Sequence, residues 1–72
     1  METGGPADIR LNGQPHPVPP GTTVAALLAA LGMDGIPVLV EHNSTALFPR
    51  EFAATVLHPG DRVELIRITA GG

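Results

Sequence analysis

Asp61-Arg62-Val63-Glu64-Leu65-Ile66-Arg67-Ile68-Thr69-Ala70-Gly71-Gly72 closes the chain, and its reading decides the fold. Residues 62–69 form the longest β-prone stretch in the sequence and follow a turn sequence, His58-Pro59-Gly60-Asp61, so they predict a strand. Alternation sets Val63 and Leu65 on one face and Ile66 and Ile68 on the other. A strand that is apolar on both faces predicts a central place in a sheet, with Val63 and Leu65 turned to the core. Ile66 and Ile68 then either complete an ordinary central strand or form, with Leu39, an exposed partner-binding patch. No side chain beyond Ile68 is larger than Thr, so the chain thins toward the Gly72 carboxylate, and glycine lets its backbone approach another chain closely. Glycine-rich ends are common, and Gly71-Gly72 alone does not separate a working tail from a frayed terminus.

The central strand needs neighbours, and the rest of the chain supplies them. From Asp8, Ile9 and Leu11 alternate with Arg10 and Asn12, and Asn12-Gly13 offers the positive φ angles of a tight hairpin turn. The returning strand falls on Pro15-His16-Pro17-Val18-Pro19-Pro20, where missing N–H donors predict an edge position with partial pairing. Gly21-Thr22-Thr23 provides a capping hydroxyl. Val24, Leu27, Leu28 and Leu31 then share one helical face up to Gly32, predicting an amphipathic helix of about nine residues. Such a helix is unstable alone and must lie across the sheet. Leu27→Ala or Leu31→Ala is accordingly expected to cost about 2 to 5 kcal/mol. Val38-Leu39-Val40 after Pro37 predicts a third strand, with Glu41-His42-Asn43 as its turn and Thr45 to Phe48 pairing briefly. Pro49-Arg50-Glu51-Phe52 predicts a helical turn begun by proline. Residues 1–7 read as a disordered lead-in, 8–69 as one domain and 70–72 as a flexible tail.

Composition narrows the functions this chain can perform. At 72 residues it buries one modest core, too little to enclose a cleft between domains, so a self-sufficient enzyme is not expected. Its apolar share of 43% and mean hydropathy of +0.21 place it among folded proteins. A net charge of −3 argues against nucleic acid or an anionic membrane and favours a protein partner with a basic groove. Without cysteine there is no disulfide, no thiolate metal site and no persulfide on a side chain. The longest apolar run, Val24 to Leu31, is too short to span a bilayer, and Met1 to Ala7 lacks the parts of a signal peptide, so a cytoplasmic protein is expected. His16, His42 and His58 share no metal-ligand spacing, and no nucleophile and base stand together, so neither metal nor catalytic residues are assigned. Arg50 and Glu51 read as solvated charge, and Asp61 as the residue that orders its turn. All four basic residues are arginine. A G+C-rich genome explains that without function; the functional alternative is that a carrier of an activated acyl group gains from lacking amines that would attack it.

The order of hairpin, helix, strand, short turns, long final strand and Gly-Gly end is that of the β-grasp (ubiquitin-like) fold, an α+β class with a mixed sheet of four to five strands packed on one helix. The sequence resembles the ThiS family, the sulfur carriers of thiamine biosynthesis, from Ile9 to Gly72. The resemblance is carried by Asn12-Gly13, Thr23-Val24 with Leu27-Leu28, Val38 to Asn43, Phe48-Pro49-Arg50-Glu51-Phe52, Pro59-Gly60-Asp61-Arg62-Val63-Glu64 and Gly71-Gly72. The prolines of the second strand, the N-terminal lead-in and the lack of a tryptophan near Phe52 depart from the family pattern. The resemblance implies a covalent carrier site at Gly72, reached through Ala70 and Gly71, with Leu39, Ile66 and Ile68 meeting partners. It implies no stably bound cofactor, ATP and Mg being used by a ThiF/MoeB-like adenylating enzyme. The implied sulfur source is a cysteine desulfurase or another donor, and the receiver is a ThiG-like thiazole synthase; the free carrier is expected to be a monomer. The MoaD family, with the same fold and tail, is the nearest alternative. A β-grasp module that binds without covalent chemistry is the alternative of another class.

Overall fold

The computed structural model describes residues 7–69; the first six residues and Ala70–Gly72, on which the lead-in and tail assignments fall, lie outside the described residues. The elements in chain order are β1 (Ala7–Leu11), β2 (Gln14–Val18), α1 (Val24–Ala30), β3 (Val38–His42), β4 (Thr45–Leu47), a 3-10 helix (Pro49–Ala54) and β5 (Arg62–Arg67). Five strands form one mixed sheet in the order β2-β1-β5-β3-β4. The final strand is its centre, parallel to β1 and antiparallel to β3. This is the β-grasp arrangement expected from the sequence. Ala7, expected in the lead-in, is the first residue of β1 and pairs with Val18.

The first hairpin turns on Asn12 and Gly13, at φ of +50° and +84°, so β1 and β2 are joined by the two-residue loop the Asn-Gly pair favours. β2 is an edge strand as expected, but its register is complete rather than partial, from Leu11↔Gln14 to Ala7↔Val18. Parity explains this. In a two-residue hairpin the pair flanking the loop exchanges hydrogen bonds, and every second pair does so after it. Pro15 and Pro17 fall at the intervening positions, opposite Arg10 and Asp8, where an N–H would point away from β1. The prolines therefore cost no ladder bonds and leave the outer edge poor in donors for a stray strand.

Helix α1 begins at Thr23, whose hydroxyl accepts from Ala26 N–H at 3.1 Å. It ends where Met33 N–H donates to Leu28 C=O (2.8 Å) and Gly32 N–H to Ala29 C=O (3.1 Å), with Gly32 at φ +73°. That pair of bonds is a Schellman motif, which glycine makes sterically inexpensive. The helix is seven residues long, shorter than its apolar pattern predicts, because the motif makes Leu31 the C-cap. Val24, Leu27 and Leu28 are buried, whereas Leu31 is 36% exposed. The expectation that Leu31 anchors the helix is thus corrected.

The core beneath α1 is made by Ile9, Val18, Val40, Val63 and Leu65 from the sheet and by Leu57. Leu57 carried no sequence signal, yet it is buried, because the chain after the 3-10 helix is tied to the helix entry. Val24 N–H donates to Thr55 C=O (2.9 Å), Leu57 N–H donates to Thr22 C=O (2.8 Å), and Thr23 and Val56 form an isolated bridge. The turn between β3 and β4 is Asn43-Ser44, both at positive φ, so Glu41 and His42, expected in the turn, belong to the strand.

In urea unfolding, Leu27→Ala should lower stability by about 2 to 5 kcal/mol, since it opens a fully buried cavity. Leu31→Ala should cost under about 1 kcal/mol at its half-solvated cap. A second test concerns Asn12, whose Oδ1 accepts from Leu65 N–H at 2.8 Å across the sheet. Asn12→Gly keeps the positive φ and removes only the acceptor, so it should cost about 1 to 3 kcal/mol.

Candidate functional site

Two assemblies of polar and apolar groups stand at opposite ends of β5. At its start Asp61 gathers a cluster: His42 Nε2 lies 2.8 Å from Oδ2, Asn43 Nδ2 donates to Oδ1 (3.2 Å), and His58 N–H donates to Oδ2 (2.9 Å). An ionised carboxylate only accepts, so the shared proton sits on His42 Nε2. Partial burial pushes the Asp61 carboxyl up, but the hydrogen bonds from His42, the His58 backbone and Asn43 outweigh it and hold the group below the ordinary carboxylate range. Asn43 completes the knot by accepting Arg62 N–H on Oδ1 at 2.8 Å. Each group here has a structural partner. Asp61 orders its turn, as the sequence indicates, and His42 is a bound member of that turn rather than a free surface histidine. Among the described residues no group of histidine and carboxylate side chains is arranged to hold a metal.

The other end of β5 leads to the chain terminus. Ile68 N–H donates to Pro37 C=O at 3.1 Å, so the backbone is held to the sheet one residue past β5. Gly72, Gly71 and Ala70 lie outside the described residues. Of the three expected partner-binding residues, the sheet brings two together: Leu39 and Ile66 are register partners on the face away from α1, 39% and 50% exposed. Ile68, 57% exposed, lines a separate apolar cleft of about 390 Å³ with Met33, Ile36, Pro37 and Phe52.

Two register steps on, at the next pair of the open face, Glu41 stands opposite Glu64, and neither is in an ion pair among the described residues. Like charges facing each other across a ladder destabilise it, so this pair offers an acidic border to the Leu39–Ile66 patch at some cost to the fold. The sequence carried the signal, since Leu39 and Glu41, and Glu64 and Ile66, have equal parity. Only the register joins the two halves.

The sheet order with a helix across one face defines a β-grasp domain. The ThiS family model matches residues 9–72, and the chain belongs to the ThiS family. It is 34% identical to the thiamine biosynthesis protein ThiS of Geobacter metallireducens, whose crystal structure superposes with a TM-score of 0.78 over 90% of this chain and 99% of that one. Over 64 residues it is 38% identical to the thiazole synthase of Magnetococcus marinus, covering 89% of this chain but 20% of that protein. It therefore spans about a fifth of that relative's length. It is also 34% identical over 64 residues to the uncharacterized protein ycf40 of Porphyra purpurea, covering 89% of this chain and 90% of that protein.

The Asp61 cluster predicts acid sensitivity. A carboxyl whose pKa is lower in the fold stabilises it above the unfolded value of about 3.9 and loses that contribution as it is protonated in the folded state. Asp61→Asn should therefore cost about 1 kcal/mol at neutral pH, and the difference from the unaltered chain should close as urea midpoints are followed below pH 3.9.

Proposed function

We propose that this chain is a sulfur carrier of thiamine biosynthesis whose Gly72 carboxylate is adenylated and then converted to a thiocarboxylate. The observation that carries this reading is that the family match runs through to the last residue, taking in Gly71 and Gly72. β5 supports it, because the strand at the centre of the sheet delivers the chain's end from a firmly held origin beside the Leu39–Ile66 patch.

The chemistry follows from what a carboxylate cannot do. To accept sulfur directly it would have to expel oxide, so it needs a better leaving group. In the partner's site a Gly72 oxygen attacks the α-phosphorus of Mg-ATP, the new C–O–P linkage forms, and pyrophosphate leaves with the electrons of the broken P–O bond. A persulfide sulfur then attacks the acyl carbon and expels AMP. The acyl disulfide so formed is cut by a second thiol, which leaves as a mixed disulfide with the donor and leaves the thiocarboxylate on Gly72. Tethering keeps that nucleophilic sulfur at high local concentration beside its acceptor and avoids free sulfide. The carrier contributes the group and the handle; its partners contribute catalysis.

A ThiF/MoeB-like adenylating enzyme suits the first step and a cysteine desulfurase the donor. The likeness to a fifth of a thiazole synthase supports a ThiG-like enzyme as receiver. Leu39 and Ile66, bordered by Glu41 and Glu64, fit a partner surface with an apolar centre and basic rim.

Incubation with Mg-ATP, a ThiF/MoeB-like enzyme and a persulfide donor should raise the intact mass by the replacement of one oxygen with sulfur. Deleting Gly72, or adding one residue after it, should abolish the change, whereas a non-covalent module would tolerate both. Ile66→Asp should raise KM for the carrier about tenfold. Unaltered mass with an enzyme that is competent on another carrier would falsify the reading.

A further inference from the structure

The cleft lined by Ile68 lies outside the open-face patch and borders the core through Leu28. It exists because the residues around it are small or rigid. Helix α1 lines it with the small Ala25 beside the buried Leu28, Gly35 sits at φ +82° in the connection to β3, and Pro37 and Pro49 form parts of its wall. Close packing is the norm inside proteins, so an apolar recess of about 390 Å³ beside a marginal core is a cost unless something enters it. Its volume falls within the range of recesses that receive a ligand or an anchoring side chain. Met33 on its wall is an adaptable, polarisable lining.

Charge and position say what enters. Asp34 is the one charged residue lining the cleft, is exposed, and has no salt-bridge partner among the described residues. Helix α1 ends beside it with no basic residue in its last turn, so the negative end of the helix dipole adds to the Asp34 charge. Arg50 is committed elsewhere, stacked 4.7 Å from the centre of the Phe48 ring, and Arg67, next to Ile68, forms no ion pair with Asp34. The local field therefore favours a cation. Gly72 is the fourth residue after Ile68, and four residue steps of fully extended chain span about 14 Å. Any enzyme that holds the Gly72 carboxylate must bring its surface within that distance of the cleft wall.

We propose that the cleft is a second docking site, which receives an apolar side chain of the adenylating enzyme while a neighbouring Arg or Lys of that enzyme pairs with Asp34. The inference rests on the carrier reading above. It places recognition on two separate faces that flank the exit of the tail, so that the enzyme grips the end of β5 from both sides of the sheet.

ATP–pyrophosphate exchange, measured with the cognate ThiF/MoeB-like enzyme at varied carrier concentration, tests this. Ala25→Leu fills the cleft, and Asp34→Arg reverses the charge at an exposed position where folding is not at risk. Each should raise KM for the carrier about tenfold with kcat changed less than twofold, and raised salt should shrink the Asp34→Arg effect. An unchanged KM for the Asp34→Arg variant overturns the proposal, whether or not the Ala25→Leu variant folds. So does a lowered KM for Ala25→Leu, which would mean that the cleft had been holding the chain's own end. Exchange that fails with the unaltered chain sinks the carrier reading and this proposal with it; unchanged KM beside normal exchange sinks the docking site alone.

Discussion

Everything in this domain is built around one strand that is bonded on both sides. β5 lies between β1 and β3, and its backbone is further satisfied by two side chains from the turns at its flanks. Asn12 accepts from Leu65 N–H, and Asn43 accepts from Arg62 N–H. Both asparagines occupy positive φ, where Asn is among the few side chains tolerated, so one residue type both shapes each turn and closes a gap in the ladder. The final strand is thereby bonded along both edges and also held by side chains from two turns.

That support compensates for a small core. The helix has only seven residues and would not form alone, so its geometry depends on Val24, Leu27 and Leu28 finding Val63, Leu65 and their neighbours. One helix covers one face, and the other face stays open for Leu39 and Ile66. The lack of Trp and Tyr leaves the core without bulk to spare, and the cleft at the helix end is where that shortage shows. A small core and an apolar pair left exposed on the open face are two results of the same limited supply of structure to cover the sheet.

The sequence carried the elements whose signals are local. Asn12-Gly13 marked the hairpin, the spacing of Val24, Leu27 and Leu28 marked the helix, and the run from Arg62 marked the central strand. What it did not carry depended on distant partners. Leu57 belongs to a two-residue apolar step with Val56, too short to show a period, and it is buried because Thr22 C=O holds its own N–H and Val24 N–H holds Thr55 just before it. Leu31 matched the helical period but fell on the cap set by Gly32. Glu41 and His42 looked like a turn because both are polar, yet one faces the open side of the sheet and the other is claimed by Asp61. The prolines of β2 were read as costing the ladder bonds; only the register revealed that they sit where no bond is made. On the open face, Leu39 and Ile66 were legible from parity, while their pairing with acidic neighbours and the cleft beside Ile68 needed the three-dimensional register.

The parallel pairing of β1 with β5 also gives the domain a polarity. The chain enters the sheet at one pole, with Ala7, and leaves it at the other, past Arg67. A label, an affinity handle or another folded unit joined at the start of β1 would meet the sheet at the pole opposite the end of β5. An addition at the first pole therefore leaves the second pole clear.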